Sequence, residues 1–211
     1  MAHIPDGVLS APVLIAGAAT SAVLVGVALR RLDYEHLPQA AVLSAAFFVS
    51  SLISVPVGPS SVHLLLNGLM GLILGWTAVP ALLVALLLQA VFFGHGGLVA
   101  LGVNLANMAV PALLCAWGLR PWLVRSVAAA APRRIFAIGA AAGASGVLGT
   151  ALMLGFALWL SDAAFGTAAK VIAATMVPLA VVESAITGTV LVFLARVDPR
   201  SLPGDEGVPV R

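Results

Sequence analysis

The chain has 211 residues, 62% of them hydrophobic and only 9% charged, with a mean hydropathy of +1.14. A soluble domain is roughly half apolar and a quarter charged, so this composition excludes a water-solvated globule and makes lipid the solvent. The net charge of +2 comes from ten basic residues against eight acids. The basic residues gather in a few loops, a distribution that speaks for membrane orientation and against nucleic-acid binding.

The chain starts Met1-Ala2-His3-Ile4-Pro5-Asp6-Gly7. No lysine or arginine precedes the first apolar run, so the basic region of a signal peptide is missing and this end is expected to stay on the protein. Methionine before a small residue such as Ala2 is commonly removed, which would make Ala2 the terminus.

Seven apolar segments follow, each near the ~20 residues a spanning helix needs. The first covers about 7–29 and stops at Arg30-Arg31. The second covers 37–57, after the polar stretch Asp33-Tyr34-Glu35-His36. The third starts after Gly58-Pro59-Ser60-Ser61, with the serines as N-caps, and ends near Gly75-Trp76. The fourth covers 79–93 and ends at Gly94-His95-Gly96-Gly97. The fifth, sixth and seventh cover 98–118, 135–160 and 167–194. The expected fold is an all-α polytopic membrane protein of about seven transmembrane helices. It forms a single domain over residues 1–196, with a flexible cytoplasmic tail over 197–211 that is rich in Pro, Gly and acid.

Arg30, Arg31, Arg120, Arg125, Arg133, Arg134, Arg196, Arg200 and Arg211 all fall on one side of such a bundle. That side is expected to be cytoplasmic and the amino terminus outside. Only Lys170 lies near the outer side. His3, His63 and His95 then share the outer face, and His36 alone lies inside.

A histidine this near a free amine can chelate a metal through backbone as well as side chain. With Met1 retained, amine, two amides and imidazole fill a square plane unaided. With Met1 removed, the Ala2 amine and the amide and ring of His3 supply three nitrogens, and His63 is the obvious fourth. A planar nitrogen set suits Ni(II) or Cu(II), and possibly Co(II), better than tetrahedral Zn(II). Pro5 and Gly7 would help fold the segment back into the bundle.

Around this centre, Ser60 and Ser61 are placed to orient the His63 ring through its second nitrogen. His95 stands in a glycine-rich loop free to take almost any geometry, as an entry ligand or supporting group. Asn104 and Asn107, three apart, share a face of the fifth helix; they would hydrogen-bond across helices or support the metal site. Glu183 is the one acid deep in the seventh helix, where an ionisable group is a functional candidate. Small residues four apart (Gly139 and Gly143, Ala142 and Gly146, Ser145 and Gly149; Ala18, Ala22 and Gly26) mark close helix packing or a partner subunit. Cys115 reads as a small buried hydrophobe without an intrachain partner. There is no G-x-x-x-x-G-K-[ST] run, so ATP hydrolysis would fall to another subunit.

The start His3-Ile4-Pro5-Asp6-Gly7-Val8-Leu9-Ser10 resembles the amino-terminal signature of the CbiM/NikM substrate-binding (S) components of energy-coupling-factor (ECF) ABC transporters. The stretch from Val55 through Pro59-Ser60-Ser61-Val62-His63-Leu64-Leu65 and the block Phe92-Phe93-Gly94-His95-Gly96-Gly97-Leu98 continue the likeness. So do Leu101-Gly102-Val103-Asn104, Asn107-Met108-Ala109 and Glu183 with Ile186-Thr187-Gly188. The resemblance implies a seven-helix bundle whose tucked-in terminus binds Co(II) or Ni(II) as transported substrate. Its ligands would be the Ala2 amine, the His3 amide and ring, and the His63 ring. It also implies a transmembrane coupling (T) subunit, two ATP-binding-cassette ATPases and often a small accessory membrane subunit, serving cobalamin synthesis or a nickel enzyme. The family usually reads Met-His directly; here Ala2 intervenes, so its ligand set requires loss of Met1. Two other classes stand beside this reading: an intramembrane enzyme using Glu183 and a histidine, and a scaffold subunit that binds no metal.

Overall fold

The computed structural model describes the backbone of residues 3–52, 54–57 and 60–204, with side chains for 3–52 and 63–204. Seven helices run through these residues: α1 Ala11–Arg30, α2 Leu37–Ser50, α3 Asn67–Leu74, α4 Ala78–Phe93, α5 Leu101–Ala128, α6 Pro132–Ser161 and α7 Gly166–Val197. Between α2 and α3 lies an antiparallel hairpin, β1 Ser54–Val57 and β2 Ser60–His63, with Ser54 opposite His63 and Val57 opposite Ser60. Apart from this ribbon, the regular structure of the described residues is all helical. Proline opens α1 and α6, where its missing N–H costs nothing.

The hairpin corrects two expectations. Residues 54–57 are strand, not the end of the second helix, and Ser60 and Ser61 lie in β2 instead of capping the third. The physical cause is in Ser54-Val55-Pro56-Val57: a proline pushes the residue before it into extended backbone, and branched valines favour strands. His63 is therefore the last residue of a strand, four positions before α3 begins.

Five stretches among the described residues are long and apolar enough to cross a membrane: Ala11–Arg30, Asn67–Phe93, Leu101–Ala128, Pro132–Ser161 and Ala163–Val197. The second of these is bent back on itself. Gly75 takes φ +55 and breaks the helix between α3 and α4, and the Arg120 guanidinium lies 2.6 Å from where a Cβ would stand. Both ends of the stretch return to the same place, because His63 before α3 and His95 after α4 each face His3. α2, with 14 residues, is shorter than a typical span.

All eight residues of α3 are buried. Glycines let its neighbours approach: a Cβ on Gly68 would meet the Ala142 carbonyl of α6, and one on Gly71 the Ala112 carbonyl of α5. Asn67 opens the helix by donating to the Met108 and Gly146 carbonyls at 3.2 and 3.3 Å and to Thr150 Oγ1 at 2.9 Å. The small-residue row on α6 packs inside the bundle, Gly139 against Gly188 and Gly143 against the Glu183 carbonyl. Small side chains here permit the backbone contacts that hold apolar helices together in lipid. Cys115 is buried and meets Ser145 Oγ at 3.2 Å. After α7 the chain turns at Pro199–Ser201 and buries Leu202.

Candidate metal centre

The segment before α1 folds inward and is fastened at three places. Asn104 on α5 makes a reciprocal pair with the backbone of Ile4: its Oδ1 accepts from the Ile4 N–H at 2.9 Å, and its Nδ2 donates to the Ile4 carbonyl at 3.0 Å. Its Nδ2 also reaches the Gly96 carbonyl at 3.2 Å. Asp6 accepts from the Ala100 N–H at 2.8 Å, at the start of α5, where the helix dipole favours an anion. The Ser10 N–H donates to Ser161 Oγ at 3.2 Å. Ile4 and Leu9 then close a small apolar cluster with Val103, Leu154, Ala157 and Leu158.

This fastening buries His3 to 5% exposure. Its ring lies 5.1 Å from that of His63, nearly parallel, and 6.4 Å from that of His95. His63 Nδ1 is 3.1 Å from the Leu64 carbonyl; a carbonyl only accepts, so Nδ1 carries the proton and Nε2 carries the lone pair. The group that orients the ring is thus the backbone of Leu64. The side chains of Ser60 and Ser61, expected in that role, lie outside the described residues, as do Met1 and Ala2.

Four ring nitrogens in this cluster are buried without a hydrogen-bond partner: both of His3, Nε2 of His63 and Nδ1 of His95. Burial, reinforced by the neighbouring His63 and His95, pushes the His3 ring down to about 3. Burial also lowers His63, opposed by its hydrogen bond to Leu64 and aided by His95. Desolvation favours the neutral ring, which is the form that binds a metal. Among the described residues no group of three or more His, Cys, Asp or Glu side chains is arranged to hold an ion.

His95 does not ride on a free loop. Gly94 takes φ +66, its N–H bonds to the Ala90 carbonyl and the His95 N–H to the Gln89 carbonyl, a left-handed cap that fixes the end of α4. Gly96, at φ +81, lies where a Cβ would stand 3.1 Å from His3 Cβ. Gly97, at φ +70, leaves room for the Asp6 carboxylate, which would be 2.2 Å from a Cβ. The two glycines form the wall on which the terminal segment rests. Asn107 is buried with its Nδ2 unpartnered and touches none of the three histidines by hydrogen bond.

Glu183 holds the other arm. Its carboxyl accepts from the Leu65 N–H and, at 3.0 Å, from the Leu66 N–H. Leu66 has φ +47, a left-handed conformation that costs a side chain about 1–2 kcal/mol. Irregular backbone within a membrane protein persists only where protein satisfies it, and here one side chain does so. The roles of Asp6, Gly96, Gly97 and Asn67, and the capping by Glu183, escape reading from the sequence. Depth in an apolar helix marks Glu183 as a candidate without revealing what it caps.

The terminal segment of this apolar helical bundle thus folds inward and sets the buried His3 ring beside those of His63 and His95. Residues 3–201 match the family described as CbiM, cobalt uptake substrate-specific transmembrane region, and the chain belongs to that family. A Haemophilus influenzae protein, provisionally named for metal transport, is 40% identical over 93% of this chain and 95% of its own length. The fused nickel transport protein NikMN of Rhodobacter capsulatus is 38% identical over 66% of this chain and 42% of its length. Among solved structures, one described as a transition metal transporter aligns with a TM-score of 0.76 at 28% identity, over 93% of this chain and 94% of that one. The protein is thus a membrane component of cobalt or nickel transport.

Proposed function

We propose that the protein captures Co(II) or Ni(II) for an ATP-driven importer of the ECF type, binding the ion where its terminus enters the bundle. The observation that carries this reading is the buried His3 ring 5.1 Å from His63 with their free nitrogens unpartnered. Buried polar atoms without partners are costly, and an arriving cation would satisfy several at once. After loss of Met1, the Ala2 amine, the His3 amide and ring, and His63 Nε2 would form a planar four-nitrogen set. His95 stands beside it as an entry or supporting group, and Asn104 holds the donor-bearing segment in place.

Residues 1–196 would form the metal-binding domain and 197–211 the cytoplasmic tail. Arginines at the far end would put that end in the cytoplasm and His3, His63 and His95 outside. The sequence carries no phosphate-binding loop, so partner ATPases, reached through a coupling subunit, would supply the energy.

The test is metal binding to purified protein, by competition with a chromophoric chelator, using Ni(II) and Co(II) in turn. His3→Ala and His63→Ala should each lower affinity by more than the roughly ten- to hundredfold typical of an outer supporting group. An uncleaved amino-terminal tag should do the same. Full retention of binding in either variant would overturn the site.

A further inference from the structure

At the end of the bundle away from His3, His63 and His95, two cavities meet. One, of about 720 Å³, is lined by Arg31, His36, Gln39, Trp76, Arg120 and Arg200, roofed by the segment after α7. Gln39 Nε2 donates to the Ser201 carbonyl and holds that roof down. The second, of about 480 Å³, is an apolar groove lined by Leu24, Val110, Leu113, Leu114 and Trp117. Arg31, Trp76 and Arg120 border both. We propose that this composite site binds one anionic phospholipid, its phosphate between Arg31 and Arg200 and an acyl chain along the groove.

Charge and depth argue for that occupant. The exposed Arg31 and Arg200 line the polar cavity, and its one acid among the described residues, Asp33, is engaged by His36 Nδ1 at 3.2 Å. The Arg31 guanidinium lies 4.9 Å over the Trp76 ring, which fixes one wall. Arg120 is about 28 Å along α5 from Leu101 at 1.5 Å per residue, close to the ~30 Å thickness of a hydrocarbon core. Trp76, Trp117 and Trp122 sit near that level, where aromatic side chains anchor at headgroups. Basic pockets between helices at this depth take anionic headgroups. A free phosphate would have no use for the groove, and a choline headgroup would set an ammonium against the arginines.

The experiment is native mass spectrometry of the full chain released from nanodiscs of equal phosphatidylglycerol and phosphatidylcholine. The expected result is one retained phosphatidylglycerol per protein. Arg31→Gln/Arg200→Gln, both exposed positions, should reduce it roughly tenfold or more, and Lys170→Gln at the opposite end should leave it unchanged. Equal retention of the two lipids, undiminished retention by the double variant, or displacement of the lipid by millimolar inorganic phosphate would each overturn the proposal. Metal binding at the histidine end plays no part in the readout.

Discussion

Two arms carry histidines to the centre, and they are built on different principles. The terminal arm, bearing His3, is fastened by three separate side chains: Asn104 at Ile4, Asp6 at Ala100, and Ser161 at Ser10. The internal arm carries His63 as the last residue of β2, paired with Ser54, and continues into a short link to α3 whose Leu65 and Leu66 amides converge on Glu183. The first distributes its hold over neutral and surface groups. The second concentrates it in one buried carboxyl beside a left-handed leucine. A segment that begins at a free end tolerates several modest contacts, whereas a link between two fixed elements needs its broken backbone satisfied at one point.

The sharpest way to break the contrast is Glu183→Leu. The change removes the acceptor for the Leu65 and Leu66 amides in a site where water has no access. Each orphaned buried N–H costs roughly 1–3 kcal/mol, and Leu66 loses the contact that offsets its conformation. The expected outcome is the largest drop in thermal midpoint of any substitution considered, with metal affinity lost at the same time, measured in detergent by nickel-dependent and nickel-free melting. Were the melting point unchanged, the internal arm would have other support.

Asn104→Leu attacks the terminal arm and should do less. It leaves the Ile4 N–H and carbonyl and the Gly96 carbonyl without their partner, but Asp6 and Ser161 still hold the segment. The expected stability loss is about 1–3 kcal/mol, while nickel affinity falls because His3 is no longer held beside His63. Distributed fastening predicts that Asn104→Leu combined with Asp6→Asn costs more affinity than the sum of the single changes. Simple additivity of the two would mean that the fastenings act independently.

How much of this was legible follows from where the information lies. That the chain is helical and membrane-embedded, and that His3, His63 and His95 gather at one end, follow from apolar runs and basic loops; the count of seven spans does not, since five stretches among the described residues are long and apolar enough to cross. Asn104 stood out because a polar side chain in an apolar helix needs a partner. The hairpin is hidden because Ser60-Ser61 reads equally as a helix cap and Pro56 lies inside an apolar run. Asp6 and Gly97 were hidden for another reason: their roles exist only between segments some ninety residues apart, where no local spacing records them. The left-handed glycines after α4 look like a free loop until the terminal segment is seen resting on them.

The smallest expected effect, and the one that sharpens the comparison most finely, is on pH. His3 is pushed down to about 3 by burial beside His63 and His95, while in the unfolded chain it titrates near 6.5. Below 6.5 the unfolded chain takes up a proton that the folded ring refuses, so stability is full above that value and declines as pH falls towards 3. The decline is at most about 1.4 kcal/mol per pH unit for one group. His63, also lowered, loses stability in the same direction over a window that starts at the same place. In metal-free protein, His3→Gln should flatten the slope of melting temperature against pH between 6.5 and 5.5, and His63→Gln should flatten it less, since its bond to Leu64 partly offsets burial. A slope that survives both changes would place the acid sensitivity elsewhere, and the two arms would then be equally indifferent to protons.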